Sequence, residues 1–126
     1  MDWNDQPELL EIFHQEMEER SRRLIAGAAA MQAGELALTA VPDLVRDAHT
    51  LKGSSRIMGL RAVGEAAALL ERAWRTVQDG TLPGGDLAAT LLSLAELLAP
   101  SAALEREGVV DQVVEATARA SACLDG

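Results

Sequence analysis

Aromatic residues are scarce in this sequence, and tyrosine is missing altogether. Only 2% of the 126 residues are aromatic, whereas 48% are hydrophobic, so any core must be aliphatic and rich in alanine and leucine. Those two residues favour helices, while the aromatic and β-branched residues that favour strands are few. The length suits one domain over residues 1–126. The composition therefore predicts a single all-α domain.

Cysteine and histidine are also rare. The single cysteine, Cys123, cannot build a disulfide framework, and its spacing from the two histidines, His14 and His49, resembles no zinc ligand set. No apolar run suggests a membrane span, and the first residues do not resemble a signal peptide. We therefore expect a cytoplasmic, monomeric domain with no metal site and no membrane contact.

Basic residues are outnumbered by acidic ones, 11 to 20, which gives a net charge of −9. An acidic surface repels phosphate backbones, so the charge argues against nucleic-acid binding. The only lysine, Lys52, stands three residues after His49. Two rare residue types thus occur together, and residues 47–55 become the candidate site.

Five stretches show apolar residues at the three- and four-residue spacing that is typical of amphipathic helices. The predicted helices cover approximately residues 7–33, 42–58, 61–79, 86–99 and 105–123, with a loop over residues 81–85. Pro42 suits a first helical turn, Asp86 suits an N-cap, and Pro100 is expected to end the fourth helix. Short connections favour an antiparallel up-and-down four-helix bundle over about residues 7–99, with the fifth helix outside it or at one end.

His49 is predicted to face solvent. At 100° per residue it lies about 130° from the centre of the apolar stripe of its helix. Its neighbours on the helix surface are Arg46, Lys52, Gly53 and Arg56. The imidazole therefore lies on a small basic patch of an acidic protein.

Glu71 is predicted to lie opposite His49 on the next helix. His49 comes eleven residues before residue 60 and Glu71 eleven after it, so both lie about 16 Å from the turn at Gly59. A carboxylate that accepts a hydrogen bond from one ring nitrogen fixes the tautomer and makes the other nitrogen a better nucleophile. The pair predicts a nucleophilic histidine. The alternatives are a plain surface histidine and a Glu71 that pairs only with Arg75.

Lys52 and Gly53 fit the same interpretation. If the nucleophilic His49 carries a phosphoryl group, Lys52 can neutralise part of the charge on that group. Lys52 could also be only a solvated surface charge. Gly53 removes bulk one turn below the ring, and Ser54 and Ser55 are also small, so that a partner protein can approach. A glycine inside a helix costs about 1 kcal/mol relative to alanine.

The stretch Ala-His-Thr-Leu-Lys-Gly-Ser-Ser at residues 48–55 resembles the signature of histidine-containing phosphotransfer domains. The chain is most similar to the N-terminal phosphotransfer domain of chemotaxis-type histidine kinases, through its acidic first helix, Gly59, the Leu70-Glu71 pair and the fifth helix. The resemblance implies that His49 is the phosphoacceptor and that Glu71 supports it. Chemotaxis members often carry a second histidine where this chain has Ala68, which implies a simpler hydrogen-bond network.

The resemblance also implies the partners. A kinase catalytic domain would phosphorylate His49 from ATP, and an aspartate of a response-regulator receiver domain would accept the group. This chain has no phosphate-binding glycine loop or acidic magnesium site, so we expect ATP on the kinase and Mg²⁺ on the receiver, with no cofactor here. The domain would be a phosphocarrier at the front of a longer kinase. From the helical wheel, Arg46 and Arg56 are candidate receiver contacts.

Two other functions remain open. One is a helical adaptor that keeps the fold without the chemistry. The other is a small metal hydrolase built on His14, His49 and glutamates, which the separation of the two histidines disfavours.

Overall fold

The computed structural model describes residues 6–80 and 85–125, and its helices follow the predicted order. The elements are α1 (Pro7–Gln32), a 3₁₀ turn (Leu38–Ala40), α2 (Val41–Ile57), α3 (Arg61–Gln78), α4 (Gly85–Arg106) and α5 (Asp111–Asp125). The described residues contain no strand, so the prediction of an all-α fold is confirmed. The expected loop lies outside the described residues, apart from its last residue, which begins α4.

The first four helices form a closed bundle. Helix α2 packs against α1 and α3, while α4 packs against α1 and α3 on the other side. Helix α5 lies against α3 and α4, so it covers one flank of the bundle. The core is aliphatic, as the composition predicts. Its largest fully buried side chains include Trp74, Met17, Leu24, Leu51, Leu70, Leu91, Leu94 and Leu98.

Glycines allow α2 to lie close to both of its neighbours. A Cβ added to Gly27 of α1 would lie 2.6 Å from Cδ1 of Leu44. A Cβ added to Gly64 of α3 would lie 3.3 Å from Cγ of Arg56. The small residues thus bring α1 and α3 against opposite flanks of α2, the helix that carries His49.

The turn between α2 and α3 is closed by two backbone hydrogen bonds. The amide of Leu60 donates to the carbonyl of Ser55 over 2.8 Å, and the amide of Gly59 donates to Arg56 over 3.1 Å. This pattern is a Schellman C-cap, and it requires the left-handed φ of +77° that Gly59 adopts. Leu60 is buried behind the turn. The turn therefore fixes the register of α2 against α3.

Helix α4 does not end before Pro100, contrary to the prediction. Proline removes one helical hydrogen bond, but packing holds the next turn in place. Ala102 is fully buried, and the carboxylate of Glu105 accepts hydrogen bonds from the amides of Ala62 (2.8 Å) and Val63 (2.9 Å) at the start of α3. The bundle core therefore extends past residue 99.

The boundaries of two further elements also differ from the prediction. Helix α5 begins at Asp111 instead of near residue 105, because α4 occupies the intervening turns and Gly108 makes the turn with a φ of +85°. Asp86 is the second residue of α4 and not its N-cap.

The prediction that no apolar stretch reaches membrane-spanning length is wrong for α4. Residues Asp86–Arg106, with a mean hydropathy of 1.7, are long and apolar enough to cross a membrane by length and composition alone, and they are the one such helix in the described part of the chain. A core helix meets the same criterion. Here Leu87, Leu91, Leu94 and Leu98 are buried in the bundle.

Candidate functional site

His49 and Glu71 meet across the groove between α2 and α3, as the hairpin register predicts. Nδ1 of His49 lies 2.8 Å from Oε2 of Glu71. The imidazole is 60% exposed, whereas the glutamate side chain is only 7% exposed. A neutral ring that donates its Nδ1 proton to this carboxylate keeps a lone pair on Nε2. The geometry can therefore present a nucleophilic nitrogen to solvent.

Two cations complete the surroundings of the Glu71 carboxylate. Nζ of Lys52 lies 2.6 Å from Oε1, and Nη2 of Arg75 lies 2.8 Å from Oε2. Burial raises the pKa of Glu71, but hydrogen bonds from Lys52, Arg75 and His49 outweigh it and lower the pKa to about 2. Glu71 is therefore ionised at neutral pH, as an acceptor for the imidazole N–H must be.

Arg75 belongs to this site, although sequence reasoning considered it only as a rival partner for Glu71. The i,i+4 spacing correctly indicated the ion pair. The two alternatives for Glu71 occur together in the structure, because the carboxylate has enough lone pairs to accept from Lys52, His49 and Arg75.

Gly53 leaves open space beside the ring. A Cβ added there would meet no atom within 4 Å, so nothing in the folded chain requires a glycine at this point of α2. Ser54 is partly exposed, but Ser55 is fully buried. Ser55 therefore does not help to open the surface, because it faces the core.

Arg46 and Arg56 are both exposed on α2. Arg46 forms a surface ion pair with Asp43 over 3.6 Å. The stem of Arg56 passes over Gly64 of α3. On α3, Ala68 is half-buried one turn before Glu71, at the position of the second histidine in the resembled chemotaxis domains.

A family model described as "Hpt domain" matches residues 8–116. The match extends from the first turn of α1 into α5 and contains the whole α2–α3 hairpin. The chain belongs to the Hpt domain family. Hpt domains carry out histidine phosphotransfer in phosphorelays. No curated protein and no solved structure gave a match to the chain.

An ion cluster around the buried carboxylate of Asp47 joins α1 to α2 in this Hpt domain, and it was not predicted from the sequence. Asp47 is 3% exposed. Its carboxylate accepts hydrogen bonds from Nη1 of Arg20 (2.8 Å) and from Nε and Nη2 of Arg23 (both 2.9 Å). Glu16 pairs with Arg20 at the edge of the cluster. The acidic residue two places before His49 was the only sequence signal.

An apolar groove lies between the start of α1 and the end of α2 of the Hpt domain. It is lined by Leu9, Ile12, Phe13, Glu16, Ser54, Ile57 and Met58. Ile12 and Ile57 are exposed, although both are large and apolar. Exposed apolar groups at one place on a surface are typical of a protein contact.

His14, the other histidine of the Hpt domain, lies apart from Glu71. Its Nε2 is 2.8 Å from Nη1 of Arg106, and its ring lies against Phe13. Among residues 6–80 and 85–125, no three His, Cys, Asp or Glu residues are grouped so that they could hold a metal ion.

Proposed function

We propose that His49 is the phosphoacceptor of this Hpt domain and that the phosphoryl group binds to its Nε2. The observation that carries the proposal is the hydrogen bond of 2.8 Å between Nδ1 and the buried carboxylate of Glu71, on a ring that is otherwise exposed. The hydrogen bond holds the proton on Nδ1, so the lone pair resides on the accessible nitrogen.

The proposed reaction has two displacement steps. The Nε2 lone pair attacks the terminal phosphorus of ATP held by a kinase domain, a P–N bond forms, and the P–O bond to ADP breaks. A carboxylate oxygen of a receiver aspartate then attacks the phosphorus, and the P–N bond breaks. The electron pair returns to Nε2, and the Nδ1 proton stays with the ring and Glu71 throughout.

Lys52 and Gly53 have different roles in the proposal. The ammonium group of Lys52 lies 2.6 Å from Glu71 and close to the ring on α2, where it offsets part of the negative charge that arrives with the phosphoryl group. Gly53 places no side chain on the surface beside His49, so that the active site of a partner can reach Nε2. Magnesium is expected on the receiver and ATP on the kinase.

The proposed receiver surface consists of the exposed face of α2 and the neighbouring part of α1. Arg46 and Arg56 are exposed there and suit the acidic pocket of a receiver. The apolar groove between Ile12 and Ile57 extends the same face. A polar rim around apolar groups is the usual anatomy of a protein interface.

The wider context is also a proposal. Helix α5, packed against α3 and α4, and the acidic α1 support a chemotaxis-type domain at the front of a cytoplasmic histidine kinase. The domain itself would be a monomeric phosphocarrier.

The direct test is incubation of the purified domain with a chemotaxis-type kinase catalytic domain and radiolabelled ATP. We expect an acid-labile, alkali-stable label on the wild type that disappears in His49→Gln and persists in His14→Gln. If several such kinase domains leave the wild type unlabelled, the adaptor function is favoured. A label that survives in His49→Gln would assign the chemistry to another residue.

A further inference from the structure

Arg75 binds the same carboxylate oxygen of Glu71 as His49 does. Nη2 of Arg75 lies 2.8 Å from Oε2, and its Nε lies 3.3 Å from the same atom. Lys52 contacts the other oxygen, Oε1. Each oxygen of the carboxylate therefore has a cation of its own, and one of the two oxygens also faces the imidazole.

We propose that Arg75 is a positioning residue that keeps Oε2 of Glu71 directed at Nδ1 of His49. The last torsion of a glutamate side chain has a broad energy profile, so hydrogen bonds determine which way the carboxylate turns. Lys52 alone would hold Oε1 and leave the second oxygen free to turn away from Nδ1. With Arg75 on Oε2, rotation of the carboxylate would break an ion pair on each side.

The orientation of Glu71 affects the imidazole through its tautomer. The nitrogen that carries the proton is set by the hydrogen bond that the ring makes, and here the acceptor is Oε2. If the carboxylate turned away, the proton would be free to occupy Nε2, and the exposed nitrogen would lose its lone pair. The proposal that this slows transfer rests on the proposed function, whereas the effect on the tautomer does not.

Three other arginines near α2 have partners elsewhere. Arg46 pairs with Asp43, and Arg20 and Arg23 on α1 bind Asp47. Among the described contacts to Glu71, Lys52 provides the cation on Oε1 and Arg75 provides the cation on Oε2. Arg75 is therefore the group to substitute, because its side chain is 56% exposed and its loss should leave the fold intact.

The first test measures the tautomer by NMR of ¹⁵N-histidine-labelled protein at about pH 9, where an imidazole is normally neutral. We expect Arg75→Gln to lower the ratio of Nδ1–H to Nε2–H of His49 by about threefold, which is what a partly exposed ion pair can contribute. Arg75→Lys should give a ratio between those of the wild type and Arg75→Gln. Arg72→Gln on the same helix as Arg75 removes a surface pair with Asp125 of α5 and should leave the ratio unchanged. An unchanged or higher ratio in Arg75→Gln overturns the proposal.

The second test measures the rate of labelling of the same variants by the kinase domain. We expect Arg75→Gln to be slower by a similar factor of about three, and Arg72→Gln to match the wild type. If the wild type takes no label, the proposed function fails, while the tautomer ratio still decides the role of Arg75. If the wild type is labelled and Arg75→Gln is equally fast with an unchanged ratio, the role of Arg75 alone fails.

Discussion

At the scale of single residues, the Glu71 carboxylate contacts three other side chains of the site, those of Lys52, Arg75 and His49. It is buried and charged, and it survives burial because Lys52, Arg75 and His49 all donate to it. A buried charge without such partners would cost several kcal/mol. The proposed function gives the same carboxylate a second role, the orientation of the imidazole, so that one set of contacts links stability to the proposed reactivity.

The pKa of Glu71 predicts how stability depends on pH. Because the pKa of about 2 lies below the ordinary value of 4.5, the ionised carboxylate stabilises the fold fully above pH 4.5, and this contribution is lost as the pH falls through about 2. We expect Glu71→Gln to lower the free energy of unfolding at pH 7 by on the order of 2 kcal/mol. The deficit should shrink between about pH 4.5 and pH 2, as urea unfolding at several pH values can show.

Glu65→Gln on the same helix is the control, because Glu65 forms an exposed pair with Arg61 that contributes little. An equal loss of stability in both variants, or a deficit in Glu71→Gln that stays constant down to pH 2, would contradict the role given to the three donors.

Alanine substitutions at two helical glycines are expected to change the free energy of unfolding in opposite directions. Alanine at Gly53 meets open space and should raise the free energy of unfolding by about 0.5–1 kcal/mol. Alanine at Gly27 would collide with Leu44 and should lower it by about 1–3 kcal/mol. Chemical denaturation measures both changes. A Gly53→Ala domain that is less stable than the wild type would refute the assignment of open space at Gly53.

If Gly53 serves partner access, the more stable Gly53→Ala domain should also transfer its phosphoryl group to a receiver more slowly than the wild type does.

At the scale of helices, α2 is held from both sides by ionic contacts. Asp47 binds Arg20 and Arg23 of α1, and Lys52 and His49 reach Glu71 of α3. The Asp47 cluster contains no group that reacts in the proposed mechanism. Its position between α1 and α2 indicates that it fixes the two helices that form the proposed receiver surface.

Two aspartates of α2 test this assignment. Asp47→Ala removes a buried carboxylate and leaves Arg20 only its pair with Glu16 and Arg23 only a long contact with Glu19, so we expect a loss of about 2 kcal/mol in the free energy of unfolding. Asp43→Ala removes an exposed pair with Arg46 and should cost less than about 0.5 kcal/mol. Urea denaturation of both variants compares them. Equal losses would mean that the buried cluster does not stabilise the contact between α1 and α2.

The elements differ in how far the sequence determines them. The register of His49 and Glu71 could be predicted because it depends only on helical rise and one tight turn at Gly59. The end of α4 could not, because the local effect of Pro100 is outweighed by the packing of Ala102 and the contacts of Glu105. Local rules fail there because tertiary contacts are stronger.

In the site too, some contacts could be predicted from the sequence and others could not. Helical periodicity predicts Lys52 one turn from His49 on α2, and helical rise with the turn at Gly59 predicts Glu71 opposite the imidazole. The partners of Asp47 lie 24 and 27 residues away on α1, and their pairing depends on how two helices rotate against each other. The spacing of residues in the sequence does not reveal how α1 and α2 are rotated relative to each other. Arg75 was visible from its spacing, but a sequence does not indicate that one carboxylate accepts three donors at once.

At the scale of the molecule, an acidic bundle presents a small cationic site. The chain carries a net charge of −9, yet Lys52 and Arg75 flank Glu71 beside an exposed imidazole. The closed bundle provides rigidity, because α2 is packed against both α1 and α3. A rigid carrier with an accessible nitrogen suits a group that must pass between two partner active sites.

The role of Nε2 of His49 is tested most directly by NMR of the phosphorylated domain with ¹⁵N-labelled histidine, in which coupling between phosphorus and nitrogen identifies the modified atom. We predict a phosphoryl group on Nε2 of His49, with Nδ1 still protonated and hydrogen-bonded to Glu71. A phosphoryl group on Nδ1 of His49, on His14 or on any other residue would contradict it.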